Sequence, residues 1–276
     1  MWFELIHRAS SGVLLLMVLA LVIIALRGLP VGHPARKTAL GAGAIAIVEA
    51  LLGAGLVLFG LVAENDSTAR AVVIAVHLTN TLVLLALLSL TGWLARHSGV
   101  HIRSAGTLGI ALALALIGLI AIGASGAVTA LGDTLFPAAS LREAVRHDLS
   151  PTAHLLVRMR VIHPVIAIIM GAFLIMLAGS VGRAVERARR AATFVSVLVI
   201  GQIVLGFVNL FLLAPIAMQV VHLLAADTLW IGVVVMAAST WMEPVALAAA
   251  TPIETDIRAA KIRGEVAQAP RGEVRV

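Results

Sequence analysis

Residues 4–26 read ELIHRASSGVLLLMVLALVIIAL, with a histidine in the opening turns and no charged residue from Ala9 to Leu26. About 20 apolar residues span the hydrocarbon core of a bilayer. Six further runs of this kind follow, at 38–63, 71–95, 105–131, 158–181, 191–213 and 217–241. Backbone polar groups in lipid must be satisfied within the segment, which dictates helices. A barrel needs shorter, alternating segments, and these are absent. The composition agrees: 61% hydrophobic, 12% charged and a mean hydropathy of +1.08 exclude a soluble domain. The expected fold is all-α, a polytopic transmembrane helical bundle of seven spans.

The net charge of +6 is a topology signal and makes no case for nucleic acid. Arg27, Arg36, Lys37, Arg96, Arg103, Arg183, Arg187, Arg189 and Arg190 fall after spans one, three and five. Arg258, Lys261, Arg263, Arg271 and Arg275 lie in the tail, so fourteen of the 20 basic residues share one side. The positive-inside rule makes that side cytoplasmic. The expectation is a multi-pass protein of the cell membrane, N-terminus outside and C-terminus in the cytoplasm. No cleavable signal pattern opens the chain. Without cysteine there are no disulfides, thiolate haem ligands or iron–sulfur clusters.

The histidine that opens the first span has counterparts. His7, His77, His163 and His222 stand in the early turns of the first, third, fifth and seventh runs. Alternate membrane helices enter from the same side, so the four imidazoles share a depth near one face. A single histidine at a helix end is explained by the headgroup boundary, but four in this register are not. Neutral imidazole is a preferred axial ligand of haem iron, and the pattern suggests two bis-histidine haem positions. His33, His97, His101, His147 and His154 fall in loops, where solvation accounts for them.

The chain also reads as a duplication. Glu49-Ala-Leu-Leu-Gly53 in span two matches Gln202-Ile-Val-Leu-Gly206 in span six, each preceded and followed by a His-bearing span. The first half covers 1–100 and the second 101–243, with a basic tail at 244–276. Span four has no partner in the first half, which lacks its own first helix. On this reading another apolar span is expected upstream of Met1.

Other polar residues divide between two roles. Glu4 shares a helix face with His7; it either assists at a haem ligand or merely favours the helix dipole. Glu49 is an expensive intramembrane carboxylate, but Gln202 at the matching place favours a structural hydrogen bond, so Glu49→Gln is expected to be nearly silent. Asn80 shares a face with His77 and bonds either a neighbouring helix or haem. Asp227 lies about 140° round the helix from His222, away from the same iron. The segment 126–157 is either a lid or an ordinary outer loop with a short interfacial helix.

These residues resemble a known family. Glu4-Leu-Ile-His7-Arg8 is similar to the Glu-x-x-His-Arg signature of the haem A synthases. Val76-His77-Leu78 and Val221-His222-Leu-Leu-Ala225 resemble their His-Leu motifs, and Ile162-His163-Pro164 their third His helix. The glycine-rich stretch from Gly123 to Pro137 resembles the segment preceding that helix. The family's first helix and a cysteine pair found in some members are missing. The resemblance implies a membrane oxidoreductase that converts haem O to haem A, oxidising a porphyrin methyl to a formyl group. It implies that His7 and His77 bracket the substrate haem O, that His163 and His222 hold a haem b cofactor, and that Glu4 is catalytic. Implied partners are membrane lipid, the haem O synthase that supplies substrate, and an electron donor the sequence does not identify. The alternative is a di-haem b electron-transfer subunit without substrate chemistry. Glu4 favours the enzyme, because the matching position of the second half is Arg160. A metal or ion transporter would use the same histidines, but paired broken helices are not evident.

Overall fold

The computed structural model describes residues 2–97, 99–102 and 106–244, without the side chains of Trp2, Phe3, Glu4 and Pro244. Its helices are α1 (Trp2–Gly28), α2 (Pro34–Leu58), α3 (Thr68–Ala95), α4 (Gly106–Leu135), α5 (Leu141–Asp148), α6 (Leu155–Ala184), α7 (Arg189–Phe211) and α8 (Ile216–Trp241). All but α5 are long and apolar enough to cross a membrane, so the chain is a multi-pass membrane protein with seven spans among the described residues.

Three helix ends differ from the sequence reading by four residues or more, each for a local reason. The second span starts at Pro34 because His33 caps it, its Nδ1 accepting from the Ala35 N–H at 3.2 Å. That helix stops at Leu58, before Gly60 takes a left-handed φ of 65°. The fourth span runs on to Leu135, where Arg160 of α6 donates to the carbonyls of Gly132 (2.8 Å) and Phe136 (2.6 Å). Free carbonyls at a helix end need such partners. The polar segment 126–157 therefore shrinks to short connections on either side of α5.

One addition qualifies the all-helical expectation. Strand β1 (Val100–Ile102) follows α3, and strand β2 (Met242–Pro244) follows α8; they pair antiparallel, with His101 opposite Glu243. This ribbon puts the α3–α4 connection and the end of α8 at the same end of the bundle. A 3-10 turn, Glu186–Ala188, joins them there: Arg187 Nε donates to the Ser239 carbonyl at 2.6 Å, and Nη1 lies 3.3 Å from Glu243 Oε1. We call this end the tail side and the opposite end the histidine side. Beyond Pro244 the expected tail at 244–276, with its basic residues, lies outside the described residues.

Helices α4, α6, α7 and α8 form a closed ring: α4 packs on α6, α6 on α7, α7 on α8, and α8 back on α4. Its core includes Leu112, Leu174, Val181, Val195, Val233 and Met236. Helices α1, α2 and α3 form an open arc in the same order, and α3 docks on α4 and α8. Lipid supplies no hydrophobic drive between helices, so small residues that allow close approach decide the packing. On α2 the buried stripe is Ala35, Ala39, Ala42, Gly43 and Ala46. A Cβ on Gly43 would stand 3.0 Å from a Val22 methyl of α1. The arc and the ring meet where Trp230 Nε1 of α8 donates to the Leu82 carbonyl of α3 at 2.7 Å, among Leu82 and Val234.

Candidate functional site

The four odd-span histidines all lie in the half of their helices nearest the histidine side. Each of the three deeper ones meets a polar residue on the helix packed beside it.

His77 of α3 faces α2. Its buried Nδ1 is 3.3 Å from Glu49 Oε2. The same oxygen accepts from Asn80 Nδ2 at 2.6 Å, and Glu49 Oε1 accepts from the Thr81 hydroxyl. Asn80 also donates to the Ile45 carbonyl at 3.1 Å, so of its two sequence-level roles the neighbouring helix is the one observed. Residues i, i+3 and i+4 of a helix share a face, so His77, Asn80 and Thr81 present one polar stripe to Glu49.

His222 of α8 faces α7 in a matching way. The Gln202 amide is 3.2 Å from the ring Nε2 and donates to the His222 carbonyl at 3.1 Å, while the ring Nδ1 is buried without a partner. Glu49 and Gln202 each stand nine residues before the end of their helices. The glycine one turn on, Gly53 or Gly206, keeps the helix flat beside the imidazole. A Cβ on Gly206 would come to 3.3 Å of His222 Cε1, and one on Gly53 to 3.8 Å of His77 Cε1.

His163 of α6 faces α4. Its Nδ1 is 3.0 Å from the Ser125 hydroxyl, which leaves Nε2 for another partner. A Cβ on Gly126 would stand 2.9 Å from Cε1, so the ring rests in a notch that only glycine provides. Pro164 cannot donate to the carbonyl of Arg160; next to it, Thr129 donates to the Met159 carbonyl at 3.1 Å. Helices α6 and α8 are opposite corners of the ring, so His163 and His222 stand on opposing helices.

His7 is exposed on α1, and its carbonyl accepts from Ser10 (3.0 Å) and Ser11 (2.7 Å). The open arc places α1 and α3 on either side of α2. Glu4 is helical, but its side chain lies outside the described residues.

Towards the histidine side stands a buried cation. Arg160 Nε is 2.7 Å from Asp133 Oδ1, and Nη1 is 3.5 Å from Asp148 Oδ1 on α5. Burial pushes the Asp148 carboxyl above its ordinary value, against the opposing pull of Arg160. Of the loop histidines, His154 caps α6, accepting from the Leu156 N–H, and His97 stacks on Trp93 with ring centroids 4.1 Å apart.

Among the described residues, no three histidines or carboxylates gather as a bare metal ion would require. Single imidazoles on separate helices, backed through one ring nitrogen, suit a metal that brings its other ligands with it, as haem iron does. Sequence reasoning missed Thr81, Ser125 and Gly126, and did not join Glu49 to His77. The spacing His77-x-x-Asn80-Thr81 was the available signal for the last.

Comparison with known proteins agrees in extent. The family model COX15-CtaA, described as cytochrome oxidase assembly protein, matches residues 1–234. Two curated relatives, from two strains of Thermus thermophilus, are both named protoheme IX farnesyltransferase. Each is 46% identical over 239 residues, covering 86% of this chain. The chain spans only 39% of the length of either relative. With the family match running from the first span into the last, the chain belongs to the COX15-CtaA family of cytochrome oxidase assembly proteins.

Proposed function

We propose that this protein is a haem A synthase, oxidising a methyl group of haem O to a formyl group within the membrane. The observation that carries the reading is the placement of four histidines on alternate spans, with His163 and His222 at opposite corners of a closed helical ring. Haem iron supplies the redox chemistry when bound; the protein supplies binding, orientation and exclusion of water. His163 and His222 hold a permanent haem b. Ser125 orients the first ring through Nδ1, and Gly126 and Gly206 let both rings seat against backbone. His7 and His77 bracket haem O in the arc, where the exposure of His7 suits a molecule that enters and leaves. Glu4, three residues before His7 in the sequence, handles protons for the oxidation.

The relatives' name describes farnesyl transfer to protohaem IX, and their chains are more than twice as long as the matched part. Diphosphate chemistry of that kind calls for carboxylates free to hold Mg²⁺. Among the described residues no three carboxylates or histidines gather to hold such an ion. We therefore assign this region the oxidation step and read a farnesylated haem as its substrate, delivered by the haem O synthase. Membrane lipid surrounds the bundle, the electron donor is a separate partner, and the tail side is cytoplasmic. Incubating the purified protein with haem O, dioxygen as the oxidant and a reductant for the electron donor, then extracting the haems for mass analysis, tests the assignment. The expected product is haem A; haem O recovered unchanged under conditions that reduce the bound haem b contradicts it.

A further inference from the structure

We propose that Glu49 is a positioning residue that fixes His77 with its proton on Nδ1 and its Nε2 towards the first-half haem, and so holds that haem at a lower potential than the second-half haem. The proposal rests on the haem-binding reading above.

A helix–helix hydrogen bond does not require a carboxylate at this place, since the matching position carries the amide of Gln202. The first half departs from the second at three positions together. Glu49 faces His77, Asn80 and Thr81, whereas Gln202 faces His222, with Ala225 and Ala226 at the corresponding i+3 and i+4 places. Asn80 and Thr81 do for the carboxylate what solvent would do elsewhere, each donating to one of its oxygens. An ionised group within a span is expensive unless it is satisfied this way. Held from both oxygens, Glu49 cannot swing away from the His77 ring.

Such a carboxylate is an acceptor only, so it favours the proton on the ring nitrogen 3.3 Å away, an ion-pair contact that turning of the ring would make a hydrogen bond. The other nitrogen, Nε2, then carries the lone pair. A carboxylate behind a metal-bound imidazole also raises the basicity of the ligand. A more basic axial ligand favours ferric over ferrous iron and lowers the potential. At His222 the partner is a neutral amide in place of a carboxylate, so the same effect is absent. The two sites thus differ at Glu49 as well as at Glu4.

The test is a spectroelectrochemical titration of full-length purified protein loaded with haem b, which gives one component per site. The His77→Ala variant assigns the first-half component. Glu49→Gln, which the match with Gln202 alone would make nearly silent, is expected from the contact with His77 to raise the midpoint of that component alone, by about tenfold in the ferrous-to-ferric ratio at fixed potential. Glu49→Asp is expected to restore much of the difference. The reciprocal change, Gln202→Glu, is expected to lower the midpoint of the second component, and it keeps the idea testable if Glu49→Gln does not fold. A Glu49→Gln protein with both haems bound and unmoved midpoints overturns the proposal, as does an unmoved second component in Gln202→Glu. If no component is lost in His77→Ala, the haem reading of the first half fails, and the proposal fails with it. Loss of a component in His77→Ala with unmoved Glu49→Gln midpoints fails the proposal alone.

Discussion

Arg160 Nε lies 2.7 Å from Asp133 Oδ1, tying α6 to the end of α4 one helical turn from His163. The same guanidinium donates to the Gly132 and Phe136 carbonyls and reaches Asp148 on α5. It stands three residues before His163, as Glu4 stands three before His7. One half carries a clamp at this place, and the other carries an acid.

Removing the clamp leaves two carboxylates with no cation to offset them. Breaking a buried ion pair by deleting one partner costs about 3–5 kcal/mol. Arg160→Met is expected to lower thermal stability by that order and to loosen the haem held by His163. Restoring part of the loss with Asp133→Asn in the same chain would show that the stranded charge is the cause. Stability equal to wild type in Arg160→Met would contradict the clamp.

The raised Asp148 value gives a pH dependence of definite sign. Burial makes the folded state bind the proton more tightly than the unfolded chain does. This contribution to stability is therefore largest at low pH and declines as pH rises through the window between the ordinary and the raised value. Asp148→Asn should flatten that part of the stability–pH curve, read from melting temperatures across a buffer series. An unchanged slope would mean that α5 is not coupled to this group.

Glycines beside the rings make graded predictions. Gly126→Ala puts a Cβ 2.9 Å from His163 Cε1 and must displace the ring, so the haem b absorption bands should shift or weaken. Gly53→Ala brings its Cβ only to 3.8 Å of His77 and should be tolerated. Gly132→Ala meets the Leu156 carbonyl at 2.6 Å, a backbone atom that cannot rotate away, and should reduce the yield of folded protein. Spectra of Gly126→Ala identical to wild type would show that the notch does not set the ring.

Glu4→Gln should keep bound haem but strongly reduce haem A formation, since the shape survives and the charge does not. Haem extraction after turnover measures this, and wild-type product would reduce Glu4 to a helix-terminal charge.

The spans were legible because length and apolarity alone specify them, and the four histidines because their register repeats. What the sequence hid was lateral. Hydropathy says that Glu49 is inside a span but not which helix it faces, and the answer, His77, comes from α2 packing on α3 through Ala42 and Ala46. Gln202 suggested a structural hydrogen bond, and the position is indeed a hydrogen-bonding one; its partner being a histidine could not be read from one chain direction. The helix ends were missed where capping groups arrive from afar. Arg160 reaches back to Gly132 from a helix that starts 23 residues later, and no local pattern around Leu135 announces it. The pairing of β1 with β2 joins residues 100 and 244, a separation beyond any periodicity argument.

The central claim is that the two histidine pairs divide the labour, one holding a permanent haem b and the other a haem that reacts and leaves. Bis-histidine ligation leaves no axial position for oxygen, which suits an electron carrier. The most direct measurement is the haem content and reduced spectrum of four purified variants, His7→Ala, His77→Ala, His163→Ala and His222→Ala, each also assayed for haem A. The account predicts that His163→Ala and His222→Ala lose the tightly bound haem b spectrum. It predicts that His7→Ala and His77→Ala keep most of that spectrum and make no haem A. Equal loss of permanent haem in all four would contradict it and make both halves equivalent electron carriers.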